Sequence, residues 1–373
     1  MLPGWATLTA LVVLAQAAPQ GYLELPSPRT SPLRNYARAA QRYEPQHGRR
    51  TRDASDYQPI RIRTAIGTTD QLSSTMRTFL DTLIAAAVSR LTQTLSVVPV
   101  SGSLLVNRTC CSEYSSGVCA AACAVPTCAD GSSGELPVDA TLLRGLRTCN
   151  TCYTDGTCDE ASCTETSDGA GAPATDFYLY VSSVTTASCG GGTIAYASAC
   201  YRDQYDRPIM GSANFCPDSL SSAAADWDDQ LGTAVHEVFH ALGFSSDSWA
   251  LFRDESGAPR TPRDADGNPA EVSATCADGS VRSVRAPGSS TVAASTERGV
   301  TVHRLVTPRV ASVARDLFGC ASLSGAELEN QPTGSSSPCF GSHWEQRIHM
   351  NEMMTSTLSE NILSPLTLAA LED

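Results

Sequence analysis

The chain has 373 residues, a formal net charge of −13 at pH 7 and only 17% charged residues. So acidic a chain would be repelled by phosphate backbones, which excludes nucleic acid as an expected partner. Its 15 cysteines are typical of an exported, disulfide-bonded protein, and because the number is odd, at least one thiol is free or pairs outside the chain.

Residues 1–18 predict a secretory signal peptide. The apolar core from Leu8 to Leu14 is too short to span a membrane, and the small residues of Ala15-Gln16-Ala17 follow it. A retained membrane anchor is the alternative. We therefore expect entry into the secretory pathway and a location outside the cell or at its surface, with membrane-surface association as a further expectation.

Residues 19–52 predict a basic propeptide. They contain seven arginines but only two acidic residues, and they end in Arg49-Arg50-Thr51-Arg52. A basic arm that precedes an acidic body and ends in clustered arginines is typical of a segment removed by processing. A disordered basic tail without this role is the alternative.

The mature chain begins with a predicted long helix. Apolar residues recur at helical spacing from Leu72 to Leu95, which predicts an amphipathic helix packed behind a sheet. A short strand is predicted at 97–100. Three further strands are predicted at 176–181, 193–197 and 207–211 from their aromatic and branched residues. This order of elements favours an α+β fold over a βαβ repeat.

Nine cysteines lie between Cys110 and Cys163, in a stretch predicted to be mostly loop. We expect a disulfide framework here, with a pairing that the sequence does not determine. A second zinc site at Cys149-x-x-Cys152 is a weaker alternative, because thiolates that bind metal inside cells are oxidised outside. Asn107 begins the sequon Asn107-Arg108-Thr109, where we expect glycosylation.

The segment His236-Glu237-Val238-Phe239-His240 matches the zinc-protease motif H-E-x-x-H. On a helix its two histidines lie about 40° apart and about 6 Å along the axis, so both imidazoles can reach one metal ion. Glu237 lies beside them, where it can accept a proton from a water molecule. Apolar residues from Leu231 to Leu242 predict that the opposite side of this helix faces the core, and Gly243 predicts its end.

The residues after this helix predict an irregular region followed by a second helix. From Ser246 to Val300 the chain is rich in Gly, Pro, Asp, Arg and Ser, with little periodicity. Thr307-Pro308 then predicts a helix start, and Gly319 predicts its end. Its predicted apolar face consists of Val310, Val313, Ala314, Leu317 and Phe318.

A catalytic zinc site needs a third protein ligand. The extended motif H-E-x-x-H-x-x-G-x-x-H would place it at position 246, where this chain has Ser246, with Asp247 one position later. His343 and His349 both lie near two methionines, and the residues alone do not decide between them. A glutamate such as Glu255 or Glu271 is a further alternative, although neither lies in a predicted helix.

The sequence resembles the leishmanolysin family of secreted or surface-anchored zinc endopeptidases from about residue 58 to the end. The resemblance rests on segments that occur in the family's order: 176–181, 207–209, 236–245, 307–310, 318–320, 325–330, 341–345 and 351–355. It implies His343 as the third ligand and Met354, or else Met353, as the methionine of the turn beneath the metal. It also implies one Zn²⁺ per chain and a metzincin-like fold with a mixed twisted sheet, a backing helix and an active-site helix.

Five segments follow from these observations. They are the signal peptide (1–18), the basic propeptide (19–52), an N-terminal catalytic subdomain with the motif helix (53–243), an inserted region before the third histidine (244–342), and the start of a C-terminal subdomain (343–373). The family's cysteine-rich C-terminal domain is missing, so we expect this chain to be part of a longer protein.

The predicted function is hydrolysis of peptide bonds in proteins or peptides by a secreted or cell-surface zinc metalloendopeptidase. Glu237 is the predicted general base. The strand before the motif helix is expected to pair with extended substrate. The alternative is a catalytically inactive, zinc-stapled surface or adhesion protein of the same fold, but a purely structural zinc site has no use for Glu237.

Overall fold

The computed structural model describes residues 27–28, 54–69, 71–123, 127–128, 136–190, 192–264, 267–275, 280–329, 341–357 and 360–373. The predicted signal peptide, and all of the predicted propeptide except residues 27–28, lie outside these residues. The described residues fall into two compact units. We call residues 27–28, 110–123 and 146–166 the cysteine-rich unit, and the remainder the larger unit.

The cysteine-rich unit is a five-stranded sheet, although its sequence predicts mostly loop. In spatial order its strands are Ser27–Pro28, Cys110–Glu113, Cys119–Ala122, Leu146–Cys149 and Cys163–Thr166. Four disulfides join Cys110 to Cys119, Cys111 to Cys123, Cys149 to Cys163 and Cys152 to Cys158. Strands this short give no periodic signal. Because Cys149 and Cys152 are both oxidised in separate disulfides, the alternative of a second zinc site is wrong.

The larger unit is built on a mixed four-stranded sheet. Its strands are β1 (Ile62–Ile66), β2 (Phe177–Ser182), β3 (Ala195–Arg202) and β4 (Pro208–Phe215). The spatial order is β3-β4-β2-β1, with β2 parallel to both of its neighbours and β3 antiparallel to β4. Two of the three predicted strands, β3 and β4, are longer than expected.

The position of β4 in the sheet contradicts the expectation that the strand before the motif helix pairs with extended substrate. The strand before the motif helix is internal, and its main-chain groups bond to β2 on one side and β3 on the other. It therefore has no free edge for a substrate. Within the described residues, β3 is the strand at that end of the sheet.

Two long helices cover one face of this sheet. Helix α1 (Ser74–Thr94) begins after Ser73, whose hydroxyl accepts a hydrogen bond from the Met76 amide. Helix α2 (Trp227–Ala241) contains the motif and packs on α1, β3 and β4. Both helices were predicted from apolar spacing, and both are confirmed.

Successive side chains of β2 point to opposite faces of the sheet, so the larger unit has a hydrophobic cluster on each face. Leu179 and Val181 belong to the cluster that includes α1 and α2, whereas Tyr180 belongs to a second cluster with Val106 and Leu143. Disulfides Cys128–Cys200 and Cys189–Cys216 reinforce this unit.

The region after α2 contains more regular structure than its sequence predicts. Its elements are α3 (Ser246–Trp249), β5 (Glu271–Thr275), β6 (Val281–Arg285), β7 (Val292–Glu297), β8 (Val300–Leu305), α4 (Pro308–Phe318) and β9 (Ala326–Leu328). Strands β5 and β6 form an antiparallel hairpin, and β7, β8 and β9 form an antiparallel sheet. Val281 and Val300 are 68% and 53% exposed, so parts of these strands bury few side chains and give no periodic apolar pattern.

Helix α4 begins and ends where the sequence predicts, but only part of its predicted apolar face is buried. Proline occupies its first turn after Thr307, and Gly319 ends it with φ 59°. Val310 and Ala314 are buried, whereas Leu317 and Phe318, in the last turn, are 52% and 44% exposed.

The remaining elements are short. Helices α5 (Gln346–His349) and α6 (Pro365–Glu372) follow β9, and the Ser364 hydroxyl accepts a hydrogen bond from the Leu366 amide at the start of α6. The minor strands and 3-10 turns are Ala54–Asp56, Gln58–Pro59, Ser96–Val97, Ser103–Leu104, Thr127–Cys128, Leu136–Pro137, Ala140–Leu142, Glu160–Ser162, Ala172–Pro173, Ala187–Cys189, Pro217–Ser219 and Ala224–Asp226. No helix in the described part of the chain has the length and hydropathy of a transmembrane segment.

Candidate metal centre

Helix α2 supplies two imidazoles and the glutamate between them. Val235 and Val238 are fully buried on the side of α2 that faces the core. His240 is only 8% exposed, so α2 is covered on its histidine side as well. The cover on that side includes the chain around His343.

The segment that carries His343 is fixed between β9 and a turn formed by residues 350–355. Trp344 pairs with Leu328 on one side and with Thr355 on the other. Its amide donates to the Met354 oxygen at 2.8 Å, and its indole Nε1–H donates to the Thr367 hydroxyl at 2.9 Å. Because Trp344 is also fully buried, its neighbour His343 has little freedom to move.

The three histidines converge through the same ring atom. Nε2 of His343 lies 3.2 Å from Nε2 of His236 and 3.1 Å from Nε2 of His240. Nitrogen ligands about 2.05 Å from a tetrahedral zinc ion would lie about 3.3 Å apart. The spacing in the structure therefore fits three ligands of one small metal ion.

The rival third ligands lie in other surroundings. His349 packs its ring against Trp344 at 5.6 Å and Phe318 at 5.7 Å. Asp247 and Glu255 are exposed side chains. Among the described residues, the histidine cluster that could hold a metal consists of His236, His240 and His343.

Each of these imidazoles is held through its other nitrogen. Nδ1 of His236 lies 2.7 Å from the Met353 oxygen, and Nδ1 of His240 lies 2.6 Å from the Phe244 oxygen. Nδ1 of His343 lies 2.7 Å from a carboxylate oxygen of Glu329. These acceptors require a proton on Nδ1, which leaves the lone pair of each Nε2 directed towards the cluster.

The acceptor of His240 depends on how α2 ends. Gly243 has φ 116°, a conformation that other residues rarely adopt, and it turns the chain so that the Phe244 oxygen reaches back to the ring. The predicted glycine stop is therefore confirmed.

Burial keeps the two helix histidines neutral. Burial, with a further contribution from neighbouring His343, lowers the pKa of His236 to about 3. Burial, followed by the effects of His236 and His343, lowers the pKa of His240 well below its ordinary value. Both rings are therefore neutral at pH 7, which is the form that binds metals.

Glu237 is buried beside the histidines without a fixed partner. It is 6% exposed, and burial raises the pKa of its carboxyl group to about 8. Its Oε2 atom has no hydrogen-bond partner within the described part of the chain. Buried polar atoms rarely remain without a hydrogen-bond partner, so this atom is available to a bound molecule.

The two candidate methionines lie together in the turn after His343. Met353 and Met354 are 1% and 0% exposed and belong to the main core cluster. Glu352 holds the turn by accepting hydrogen bonds from the Met354 amide and the Thr367 hydroxyl. Which of the two methionines lies beneath the metal remains a prediction.

Asn107, the predicted glycosylation site, is half-buried at the start of its sequon, and glycosylation there remains a prediction. Glu329 was not recognised as a site residue, although it belongs to one of the segments that resemble the family. Its contact with His343 runs between two stretches of chain, and no spacing rule relates them.

A family model described as leishmanolysin, a peptidase family, matches residues 147–373. The chain is 34% identical over 335 residues to a leishmanolysin-like peptidase of Caenorhabditis elegans, which covers 85% of this chain and 48% of that protein. It is 35% identical over 306 residues to a leishmanolysin-like peptidase of Drosophila melanogaster, covering 79% of this chain and 43% of that protein.

A more distant match is to the ciliated left-right organizer metallopeptidase of Mus musculus. It is 34% identical over 212 residues, which cover 55% of this chain and 26% of that protein. The chain spans about half the length of the leishmanolysin-like relatives that it matches. Because the family model covers well over half of its residues, the chain belongs to the leishmanolysin family of metallopeptidases. The family resemblance read from the sequence is confirmed.

Membership of this family implies a bound metal ion. The residues fit one, because three imidazole Nε2 atoms converge at ligand spacing and all three Nδ1 atoms are held by acceptors.

Proposed function

We propose that this chain contains the catalytic site of a secreted or cell-surface zinc metalloendopeptidase that hydrolyses peptide bonds in proteins or peptides. His236, His240 and His343 bind one Zn²⁺ per chain. The convergence of their Nε2 atoms, 3.1 and 3.2 Å apart, is the observation that carries the proposal.

The choice of zinc follows from the ligand chemistry. Three neutral imidazoles at tetrahedral spacing suit Zn²⁺, and three protein ligands are the usual number in a catalytic zinc site, where the fourth position is left for water or substrate. We assign Met354 to the floor of this site and propose a metzincin-like arrangement of the two subdomains. Met353 contributes its main-chain oxygen to His236.

Glu237 performs the proton transfers in this mechanism. When bound, Zn²⁺ supplies Lewis acidity, which polarises the scissile carbonyl group and lowers the pKa of a water molecule. The carboxylate of Glu237 accepts the proton of the attacking water and passes it to the leaving amine. Its Oε2 atom is suited to this role because it has no donor of its own among the described residues.

The charge state of Glu237 is coupled to the metal. Burial raises its pKa to about 8, so without a nearby cation the group is largely protonated at pH 7. A positive charge held by the flanking histidines favours the ionised carboxylate, which is the form that a general base needs. Loading the site with metal therefore also activates the base.

Extended substrate binds along β3. Within the described residues this strand pairs with a strand on one side only, and we place the peptide strand on its other side. Strand β3 also contacts α2, which carries the motif. We assign peptide pairing to β3 in place of the internal β4.

Further properties are consistent with a secreted enzyme. Among the described residues, six disulfides stabilise the two units, as is common in an oxidising compartment. We propose removal of residues 1–18 as a signal peptide, removal of 19–52 as a propeptide, and a glycan on Asn107. Association with the membrane surface belongs to the same proposal.

The decisive experiment uses the full chain produced through a eukaryotic secretory pathway. Zinc content is measured by mass spectrometry, and cleavage is measured on an unstructured protein substrate. Glu237→Gln should retain one zinc per chain and lose at least about 100-fold in cleavage, since general-base catalysis contributes that much. His343→Ala should lose both zinc and cleavage.

The matched control is Glu255→Gln, at an exposed glutamate that was a rival third ligand. It should retain both properties. Unchanged cleavage by Glu237→Gln would remove the mechanism. Zinc binding without any cleavage by the wild type would instead support the inactive, zinc-stapled surface protein.

A further inference from the structure

The three histidines of the candidate metal centre are not supported in the same way. His236 and His240 each donate to a neutral main-chain oxygen, whereas His343 donates to the carboxylate of Glu329 at 2.7 Å. Glu329 is only 3% exposed. It is therefore the one anionic acceptor among the three Nδ1 partners.

The main chain holds Glu329 and His343 against each other. The Glu329 amide donates to the His343 oxygen at 2.9 Å, and the Gly341 amide donates to the Glu329 oxygen at 2.8 Å. The Ser342 amide donates to the same carboxylate oxygen, Oε1, that accepts from His343, at 3.2 Å. Hydrogen bonds from within the chain therefore fix both the main chain and the carboxylate of Glu329.

The inserted region supplies this support. Glu329 follows directly after β9, and β9 pairs with β8 in the antiparallel sheet. The Glu345 amide also donates to the Glu327 oxygen of β9 at 2.9 Å. The long connection between α2 and His343 therefore includes strand β9, and Glu329, the residue directly after β9, contacts His343.

We propose that Glu329 is the positioning residue of His343 and determines how tightly the centre retains its metal. This inference rests on the proposed function. The buried carboxylate keeps the proton of His343 on Nδ1, directs the Nε2 lone pair towards the other two rings, and makes the imidazole a stronger donor to a cation. Partners of this kind usually change metal affinity by about 10- to 100-fold.

The chain offers a matched control two residues away. Glu327 is also a glutamate, is also 3% exposed, and lies in β9 itself. Its carboxylate contacts Arg304 at 3.2 Å and Arg347 at 2.7 Å, and neither is a metal ligand. Glu327→Gln therefore removes a buried charge from the same strand without touching His343.

The test measures the Zn²⁺ dissociation constant of the full chain by competition with a chelator, alongside unfolding in excess chelator. We expect Glu329→Gln to weaken Zn²⁺ binding about 10- to 100-fold, and Glu327→Gln to bind within about twofold of the wild type. A merely structural role would lower the metal-free stability of both variants and leave the Zn²⁺ affinity of the folded fraction unchanged.

Glu329→Asp provides a second variant in case Glu329→Gln folds poorly. It keeps the charge, but its side chain is one methylene shorter and the carboxylate can no longer reach Nδ1, so we expect weaker binding again. Equal Zn²⁺ affinity of wild type, Glu329→Gln and Glu329→Asp would overturn the inference and leave the proposed function intact. Failure of the wild type to bind Zn²⁺ would overturn both.

Discussion

The main-chain oxygen of Met353 lies 2.7 Å from Nδ1 of His236, so the turn after the third histidine also orients the first. The two residues are 117 positions apart in the chain. The geometry of the centre therefore depends on the turn at 350–355 as much as on helix α2.

This relationship makes Glu352 important although it touches none of the three histidines of the metal centre. Its carboxylate accepts hydrogen bonds from the Met354 amide at 2.6 Å, the Thr367 hydroxyl at 2.7 Å and the Ser364 hydroxyl at 2.9 Å. Glu352→Gln removes one acceptor and places an amide donor in the turn. We expect a loss of about 1–3 kcal/mol in the free energy of unfolding and weaker metal binding. Denaturant unfolding and chelator competition measure the two effects, and full metal affinity would contradict the link.

Gly341→Ala should weaken Zn²⁺ binding as replacement of Glu329 does, because the added methyl group would displace the Glu329 side chain. A methyl group at this position would overlap the side chain of Glu329, including the oxygen that accepts from His343. We expect the carboxylate to move off Nδ1 and Zn²⁺ affinity to fall about 10-fold or more. Gly190→Ala is the control, since its methyl group would lie 3.6 Å from its nearest neighbour, the Ala187 oxygen. Equal affinity in both variants would show that the carboxylate tolerates displacement.

His349 should contribute to the loss of stability in acid. Burial lowers the pKa of its imidazole from 6.5 to about 4, so between these values the unfolded chain binds a proton that the folded chain does not. Stability is thus unaffected by this group above pH 6.5 and falls as the pH drops from 6.5 to about 4, by up to about 3 kcal/mol.

The variant that tests this is His349→Phe, which keeps a ring against Trp344 and cannot be protonated. Urea unfolding of metal-free wild type and variant at pH 7, 6 and 5 should show a shallower pH dependence for the variant. Identical slopes for the two proteins would mean that His349 is not a source of the acid sensitivity.

The disulfide between Cys128 and Cys200 should be a large contributor to stability in the larger unit. It joins residues 72 positions apart, and Cys200 lies in strand β3. Loop entropy predicts a loss of roughly 4 kcal/mol when both cysteines are replaced by serine. Urea unfolding measures the effect, and an unchanged midpoint would show that the unfolded chain is already constrained there.

Local sequence patterns predicted two long helices and the start of a third. Helix α1, helix α2 and the start of α4 follow from apolar spacing, N-terminal serine or threonine, and terminal glycine, all of which act within a few residues. The strands at 271–275 and 281–285 escaped prediction because their pairing depends on main-chain hydrogen bonds across a hairpin, and Val281 is exposed.

Long-range relationships could not be read in the same way. The residues alone left His343 and His349 equal, and only the family resemblance favoured His343. The structure separates them, since His343 meets the other two rings while His349 packs on Trp344 and Phe318. The contact of Glu329 with His343 and the internal position of β4 likewise arise from how distant strands pair, which no local pattern encodes.

The separation between the ligands has a consequence for synthesis. His240 and His343 lie 103 residues apart, so at about 5–20 residues per second the ribosome adds the third imidazole roughly 5–20 s after the second. Throughout that interval the growing chain has only two of the three histidines proposed to bind zinc. Under the proposed function, the peptidase site is therefore completed only after the upstream sheet and helix α2 have had this interval in which to fold.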